Sequence, residues 1–252
     1  MPIRAILFDL GNTLMHAVAP PEMWPEVIRR GNEALMEHLC SQGILEGCNT
    51  FVPEFNQRLR QYYAERDKKM LETSTFLVLK EMLAEKGYPD ISDRIIRDSL
   101  DAHYAYTQKN WILEKDTLHC LDTLQQANYK LGIISNAGDD RDVQQLVEKF
   151  NIVSYFEIVL TSAACGYRKP HQRIFELALE YFNVKPEEVA MVGDTLEADI
   201  QGANQMGIYS VWITRRATIP VNGELPFQPQ ATIKTLAELP LLLHELEIDL
   251  HL

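Results

Sequence analysis

The stretch of sequence that decides the fold lies near the start of the chain and reads RAILFDLGNTL from Arg4 to Leu14. Its apolar run Ala5–Phe8 predicts a short buried strand that delivers the carboxylate of Asp9 into a turn. The Gly, Asn and Thr of this turn expose backbone N–H groups, and successive exposed N–H groups form a concavity that binds anions. A carboxylate nucleophile beside an anion site is the arrangement that an aspartyl-phosphate intermediate requires. The same pattern also fits a purely structural strand end.

Two later segments carry polar residues of complementary chemistry. The segment Lys130–Asn136 reads KLGIISN, an apolar strand pattern that ends in the small polar residues Ser135 and Asn136. The segment Gly166–Pro170 reads GYRKP and places Lys169 in a turn directly before a helical pattern. These segments would supply hydroxyl and amide donors and a cation to a phosphate site.

A third segment supplies a pair of acids. Residues Val189–Asp199 read VAMVGDTLEAD, an apolar strand pattern followed by Asp194 and Asp199, five residues apart. Paired carboxylates are suited to a hard divalent cation such as Mg²⁺.

Strand patterns and helical patterns alternate along the rest of the chain. Predicted strands are Ala5–Phe8, Leu131–Ser135, Glu157–Leu160, Val189–Val192 and Tyr209–Ile213, and predicted helices are Asp140–Phe150, Gln172–Phe182 and Glu197–Met206. Such alternation predicts an α/β fold, a parallel sheet with helices on both faces. Ligands of these sheets bind outside the carboxyl ends of the strands, so Asp9, Ser135 and Asp194 should meet in one cleft. Towards the C-terminus we predict a surface loop at Ala217–Gln230, a strand at Ala231–Ile233 and a helix at Leu236–Leu246.

In their order and spacing, the four segments around Asp9, Ser135, Lys169 and Asp194 resemble the four motifs of the haloacid dehalogenase-like hydrolase superfamily. The resemblance covers essentially the whole chain and implies a Rossmann-like parallel sheet core. It implies that Asp9 is the nucleophile and that Lys169 pairs with both phosphate and nucleophile. The residues that it implies for contact with the substrate phosphate are Ser135, Asn136 and Thr13. The residues that it implies for a Mg²⁺ site are Asp9, the backbone carbonyl of Gly11, Asp194, and Asp199 directly or through water.

The segment between the first two motifs, Met15–Trp111, contains no good strand pattern and reads as several amphipathic helices. Apolar faces are marked by Ile28, Leu35 and Leu39 and by Phe76, Leu79 and Leu83, and breaks are marked by Gly43, Gly47, Pro53 and Gly87-Tyr88-Pro89. This segment resembles the helical-bundle cap that one large branch of the superfamily inserts between its first two motifs, which implies a cap at residues 16–111 inserted into a core of residues 1–15 and 112–252. The resemblance implies that such a cap closes over the cleft and selects the substrate. A helical domain without a catalytic part is the alternative.

One position departs from the pattern of the resembled phosphatases. Those enzymes usually carry a second Asp two residues after the nucleophile, which protonates the leaving oxygen and then activates water. Here the position is Gly11, which has no proton to offer. The candidates for a replacement are His16, just past the motif, and a cap acid such as Glu22.

The bulk composition limits the possible partners. The 252 residues carry a formal net charge of −12, which argues against nucleic acid or an anionic membrane surface as partner. The four cysteines form no close pair or zinc-like pattern, which is typical of reduced thiols. With no signal peptide or membrane-span pattern either, we expect a cytoplasmic protein; the sequence does not indicate its oligomeric state.

Three functions are compatible with these residues. The leading hypothesis is a Mg²⁺-dependent phosphatase that hydrolyses a small phosphorylated metabolite through an aspartyl-phosphate. The second is a haloacid dehalogenase, an enzyme that also lacks the second Asp but has little use for the pair Asp194 and Asp199. The third is a weakly active or inactive binding protein, for which Gly11 is the only support. A phosphotransferase or mutase is a minor fourth possibility. No motif in the cap segment names a substrate.

Overall fold

The structure, a computed structural model, describes residues 2–45, 50–219, 224 and 227–249. Within these residues eight strands occur: β1 (Ala5–Phe8), β2 (Met15–Ala17), β3 (Trp111–Leu113), β4 (Lys130–Ser135), β5 (Ile158–Thr161), β6 (Val189–Gly193), β7 (Tyr209–Ile213) and β8 (Ala231–Ile233). Six of them form a parallel sheet in the order β5-β4-β1-β6-β7-β8. After β1 the chain builds the sheet outward through β4 and β5, then returns to the other side of β1 with β6. The reversal lies between β1 and β6, and crevices that bind ligands form at such points.

Helices cover both faces of the sheet. The described helices are α1 (Trp24–Ser41), α2 (Phe51–Lys69), α3 (Thr75–Glu85), α4 (Asp93–Thr107), α5 (Thr117–Gln126), α6 (Asp140–Lys149), α7 (Ser162–Cys165), α8 (Gln172–Phe182), α9 (Gly202–Met206) and α10 (Leu239–Asp249). Successive side chains of a strand point to opposite faces. Accordingly Ile6 and Phe8 of β1 pack with residues of α5, α6 and α10, while Ala5 and Leu7 pack with residues of α8 and α9.

The predicted α/β fold with a parallel sheet is confirmed. All five predicted core strands are present, and the predicted bounds of the strands at Ala5–Phe8 and Tyr209–Ile213 agree with β1 and β7. The predicted helix at Glu197–Met206 is instead a π-helical turn, Leu196–Gln201, followed by α9. The C-terminal helix begins with a 3₁₀ turn at Leu236–Glu238 before α10. The predicted loop at Ala217–Gln230 lies partly outside the described residues.

Helices α1 to α4 form the segment between β2 and β3, and they pack around an apolar cluster of their own. Leu35 and Leu39 of α1 are fully buried, but Ile28 is 37% exposed, so its assignment to the apolar face was wrong. The buried face of α1 continues through Val27 and Gly31 instead, because a spacing of four residues keeps side chains on one side of a helix. The predicted break at Gly47 lies outside the described residues.

The prediction that Met15–Trp111 contains no strand was wrong at both ends. Strands β2 and β3 pair antiparallel, with Met15 opposite Leu113 and Ala17 opposite Trp111. Each strand has three residues, too few to show an alternating pattern, and the pairing joins positions almost a hundred residues apart. This two-stranded ribbon carries the chain from the sheet into the helical segment and back. Among the described residues, no helix has both the length and the apolar character to cross a bilayer.

Candidate active site

Three carboxylates come together at the carboxyl edge of the sheet. Asp9 follows β1, Asp194 follows β6, and Asp199 lies in the π-helical turn that comes next. Each offers an oxygen, and these atoms all lie within 4.8 Å of one another. Burial raises the pKa of Asp9 to about 6 and that of Asp194 to about 7, and for both carboxyls repulsion by neighbouring carboxylates adds to this effect. A donor set of three crowded carboxylates fits Mg²⁺, because a hard divalent cation takes oxygen ligands and relieves their repulsion.

The backbone around β6 is shaped to hold two of these acids. A Cβ at position 193 would overlap the carboxylate of Asp199, so only glycine lets that carboxylate lie against the strand end. The backbone N–H of Thr195 donates to Asp199 Oδ2 at 3.0 Å. The indole Nε1 of Trp212 donates to the backbone carbonyl of Asp194 at 2.9 Å. Both acids are therefore fixed by contacts that their own short segment and β7 provide.

Lys169 is buried between two of the carboxylates. Its Nζ lies 2.6 Å from Asp9 Oδ1 and 2.7 Å from Asp199 Oδ1, and it also donates to the carbonyl of Ile134 at 2.8 Å. Burial alone would lower the pKa of Lys169, but the attraction of Asp199 and Asp9 outweighs it and the pKa is raised. The lysine is therefore charged, and it compensates part of the negative charge of the cluster.

The structure brings both polar residues at the end of β4 to the cleft. Ser135 and Asn136 line it together with Asp9 and Lys169. The carboxamide of Asn136 holds the backbone of Lys169 from both sides: Nδ2 donates to the Lys169 carbonyl at 2.9 Å, and Oδ1 accepts from the Lys169 N–H at 2.8 Å. Asn136 thus positions the lysine, a role that the sequence did not indicate. Its predicted contact with phosphate stays a prediction.

Three of the residues singled out by sequence do not reach the cleft lining. Thr13 is fully buried, and its hydroxyl has no hydrogen-bond partner among the described residues. His16 lies in β2 with Nδ1 2.8 Å from a carboxylate oxygen of Glu114, and its pKa is lowered by burial. Glu22 is exposed in a 3₁₀ turn. The geometry therefore gives no support to Thr13 as a substrate contact, or to His16 or Glu22 as the missing acid.

Gly11 lines the cleft, and an aromatic ring lies beside it. A Cβ at position 11 would lie 3.5 Å from Cη2 of Trp111, at ordinary van der Waals distance. The ring of Trp111 packs in turn against Trp24, with ring centroids 6.0 Å apart. Gly11 does not have positive φ, whereas the next residue, Asn12, has a φ of 59°. The indole of Trp111 therefore borders the space that a side chain at position 11 would enter.

Sequence reasoning missed the opposite wall of the cleft. Asp139 is the N-cap of α6 and accepts two hydrogen bonds from Arg97 of α4, at 2.9 and 2.8 Å. Asp142 accepts from Gln108 Nε2 at 2.8 Å, and burial raises its pKa to about 7. Both acids stand in the run DDRD after the second motif, where acids at a helix N-terminus are common. Only the tertiary structure shows that they line the cleft.

The cleft has a volume of about 370 Å³. Its lining combines the carboxylates and Lys169 with an aromatic and aliphatic wall that consists of Met15, Tyr104, Trp111, Val143 and Leu146. Tyr104 comes from α4 and Trp111 from β3, so the inserted helical segment supplies part of the site.

A second contact fastens the helical segment to the loop that carries Lys169. The carboxylate of Glu72 is buried and accepts from Tyr62 Oη at 2.6 Å and from Ser162 Oγ at 2.9 Å. It also forms ion pairs with Arg66 and Arg168. The backbone N–H of Glu72 donates to a carbonyl of the same loop at 2.9 Å. Glu72 therefore joins the segment after α2 to the residue next to Lys169.

A parallel sheet with clustered carboxylates and a buried lysine at its carboxyl edge is an arrangement typical of α/β enzymes. The chain belongs to the haloacid dehalogenase-like hydrolases, since the model of that family matches residues 3–207. The resemblance read from the four motifs is thereby confirmed.

Two curated relatives are named as phosphatases. One is a ribulose-1,5-bisphosphate 5-phosphatase of Halopiger xanaduensis, 28% identical over 208 residues, which cover 82% of this chain and 83% of the relative. The other is a glyceraldehyde 3-phosphate phosphatase of Pyrococcus furiosus, 40% identical over 89 residues, which cover 35% of this chain and only 37% of the relative. Among solved structures, a 2-haloacid dehalogenase of Pseudomonas syringae pv. Tomato DC3000 superimposes with a TM-score of 0.73 at 23% identity, covering 97% of this chain and 99% of the other. This last likeness shows the fold alone.

Proposed function

We propose that the protein is a Mg²⁺-dependent phosphatase that hydrolyses a small phosphorylated metabolite through an aspartyl-phosphate on Asp9. The observation that carries the proposal is the position of Lys169 Nζ, 2.6 Å from Asp9 Oδ1 and 2.7 Å from Asp199 Oδ1, with Asp194 in the same cluster. A nucleophile, a cation and a cation-binding acid pair are thus within reach of one phosphoryl group. The phosphatase names of the two curated relatives support the same assignment.

Each residue has a role in this reaction. A carboxylate oxygen of Asp9 attacks phosphorus, the ester bond to the leaving oxygen breaks, and water later cleaves the aspartyl-phosphate. Lys169 orients Asp9 and neutralises charge on the phosphoryl oxygens, and Ser135 and Asn136 border the same group. Asp9, Asp194, Asp199 and the carbonyl of Gly11 would hold Mg²⁺, which when bound neutralises charge that develops on the phosphoryl oxygens.

We also propose that residues 16–111 act as a cap over a core of residues 1–15 and 112–252. Tyr104 and Trp111 line the cleft from this segment, and the contacts of Glu72 and Arg97 attach it to the core. A cap in this position excludes water and selects the leaving group. The absence of a nucleic-acid partner and a cytoplasmic location stay predictions from composition.

One observation favours the dehalogenase as a second candidate. Gly11 lacks the acid that phosphoryl transfer uses, and the space beside it is bordered by Trp111 rather than by a proton donor. In that reaction Asp9 would displace halide from carbon, with no leaving-group proton needed. The same observation would fit a weakly active binding protein.

A substrate screen separates the three candidates. The purified protein would be assayed for phosphate release from sugar phosphates, nucleotides and phospho-acids, with Mg²⁺ and with excess chelator. In parallel it would be assayed for halide release from 2-chloropropionate. We expect phosphate release that disappears with chelator and returns with Mg²⁺. Halide release that persists in chelator would establish the dehalogenase, and no turnover of any compound would favour the binding protein.

A further inference from the structure

The described lining of the cleft holds more carboxylates than cationic side chains. It includes five carboxylates and one cationic side chain, Lys169. Lys169 is held by Asp9 and Asp199, and in the proposed reaction it serves the transferred phosphoryl group. No cationic side chain in the described lining is left to bind a second anionic group on the substrate.

The two acids of the opposite wall differ in their charge balance. Asp139 is paired with Arg97, which reaches it from α4. Asp142 accepts a hydrogen bond from the neutral amide of Gln108 and has no cationic partner among the described residues. Burial raises its pKa to about 7, and repulsion by Asp139 and Asp101 adds to this effect. Asp142 therefore presents an acceptor, and a negative charge once ionised, to whatever fills the cleft.

The apolar wall begins next to the phosphoryl site. Trp111 is within van der Waals distance of the position that a Cβ on Gly11 would occupy, two residues after Asp9. Tyr104, Val143 and Leu146 extend this wall. Trp24 packs against the indole of Trp111 and holds it in place. The lining of the cleft therefore offers an apolar surface, with Trp111 nearest to the Asp9 turn, to a leaving group.

We propose that the substrate is a phosphate monoester whose leaving group is uncharged or cationic, packs an apolar face against Trp111 and donates a hydrogen bond to Asp142. Leaving groups with a second phosphate or a carboxylate are rejected, because they would place another anion beside Asp142, which has no cationic partner among the described residues. The inference rests on the proposed phosphatase function and narrows its substrate class. It separates simple monoesters from bisphosphates and phospho-acids.

Three synthetic esters with one common body test the proposal. They are benzyl phosphate, 4-carboxybenzyl phosphate and 4-(aminomethyl)benzyl phosphate, which differ in the charge of one substituent. In saturating Mg²⁺ we expect the carboxy ester to have a kcat/KM lower than that of benzyl phosphate by about tenfold or more, on the order of a unit-charge repulsion in a partly solvated cleft. The aminomethyl ester should equal or exceed benzyl phosphate. A carboxy ester that is turned over as well as benzyl phosphate would overturn the inference.

Variants at Asp142 test whether this residue causes the charge preference among the three esters. Asp142→Asn keeps the shape of the side chain and removes its charge. It should therefore reduce the differences in kcat/KM between the three esters. Asp142→Lys should reverse their order. Glu148→Lys, an identical charge change on an exposed position of the same helix, is the matched control and should keep the wild-type order. If Asp142→Lys does not fold, the isosteric Asp142→Asn variant still tests the role of Asp142. Differences in kcat/KM between the esters that equal those of the wild type would contradict that role.

Binding separates this inference from the proposed function. Calorimetric titration of the three esters into the Mg²⁺-loaded Asp9→Asn variant, which is expected not to hydrolyse them, measures the charge preference of binding alone. If no ester is turned over but the binding order is as expected, the phosphatase proposal fails and the proposed cleft specificity stands. If turnover is observed and the three esters bind and react equally, the phosphatase proposal stands and the specificity fails.

Discussion

Trp111 lies against Gly11, so that a side chain at position 11 would place its Cβ 3.5 Å from the indole Cη2. An apolar ring thus borders the position from which the resembled phosphatases donate a proton to the leaving oxygen. The contact lies at van der Waals distance and Gly11 does not have positive φ, so the backbone and the space at position 11 accept a Cβ. In the proposed phosphatase reaction we therefore expect hydrolysis of the aspartyl-phosphate to be slow.

We expect Gly11→Asp to raise the steady-state rate with nitrophenyl phosphate by about tenfold to 10²-fold, at or below the lower limit of the usual gain from general acid–base help, because the indole restricts the new carboxylate. The wild type should show a burst of nitrophenol followed by slow turnover, and Gly11→Asp should abolish the burst. Rapid-quench measurement of product at early times shows whether the burst is present in each protein. Gly11→Asn is the control of equal shape, and an equal gain in it would show that proton transfer is not the cause.

Asp9→Asn should abolish turnover and the phosphoenzyme while the fold persists, because an amide keeps the shape of the side chain but is not a competent nucleophile. Mass spectrometry of acid-quenched protein measures the phosphoenzyme, and circular dichroism checks the fold. Asp90→Asn, at an exposed position, should behave as wild type. A residual rate above a few per cent of the wild-type rate would show that Asp9 is not the nucleophile.

Lys169→Met should inactivate the enzyme and also destabilise it. Lys169 is buried with two carboxylates as its partners, so removing it leaves Asp9 and Asp199 uncompensated. Loss of one member of a buried ion pair costs about 3–5 kcal/mol in the free energy of unfolding. Denaturant titration with and without Mg²⁺ measures this loss, and Mg²⁺ should restore part of it by taking over the charge compensation. Stability equal to wild type in chelator would contradict the ion-pair assignment.

Glu72→Gln should loosen the contact between the helical segment and the loop of Lys169. The change keeps the shape but leaves Arg66 and Arg168 without their buried carboxylate partner. We expect a lower midpoint of thermal unfolding and faster amide hydrogen exchange in residues 166–170. Glu65→Gln, at a residue whose side chain is 58% exposed, is the matched control and should change neither. Unaltered exchange in Glu72→Gln would show that this contact does not hold the loop.

His103 should make stability depend on pH. Burial lowers its pKa from 6.5 to about 4, and it packs against Gly31 of α1. Since the unfolded chain binds its proton at higher pH than the folded chain, the stabilisation is complete above pH 6.5 and decreases as pH falls towards 4. At 1.36 kcal/mol per pKa unit, the loss approaches about 3 kcal/mol. Denaturant titrations between pH 7 and 4 should show a weaker pH dependence for His103→Phe, whereas His119→Phe, at an exposed position, should keep the wild-type slope.

The sequence by itself determined the sheet and the carboxyl-edge position of its polar residues. Short apolar runs that end in Asp9, Ser135 and Asp194 specify buried parallel strands, and parallel strands bring their carboxyl ends to one edge. The local pattern carries this information because strand burial and turn chemistry depend on neighbouring residues. The sequence also predicted that Lys169 lies in a turn before a helix. It did not predict the distance between Lys169 and Asp9, because the two residues are 160 positions apart in the chain.

Only the tertiary structure decided what surrounds that edge. Trp111 and Gly11 meet because two three-residue strands pair across almost a hundred residues, and Asp142 lines the cleft because α6 starts at the edge of the site. Neither Trp111 nor Asp142 can be recognised as a cleft residue from its local sequence, since an indole in a short strand and an acid in a first helical turn are common in any fold. Long-range packing brings such residues together, and the free energy that places them comes from burial spread over many positions rather than from any short stretch of sequence.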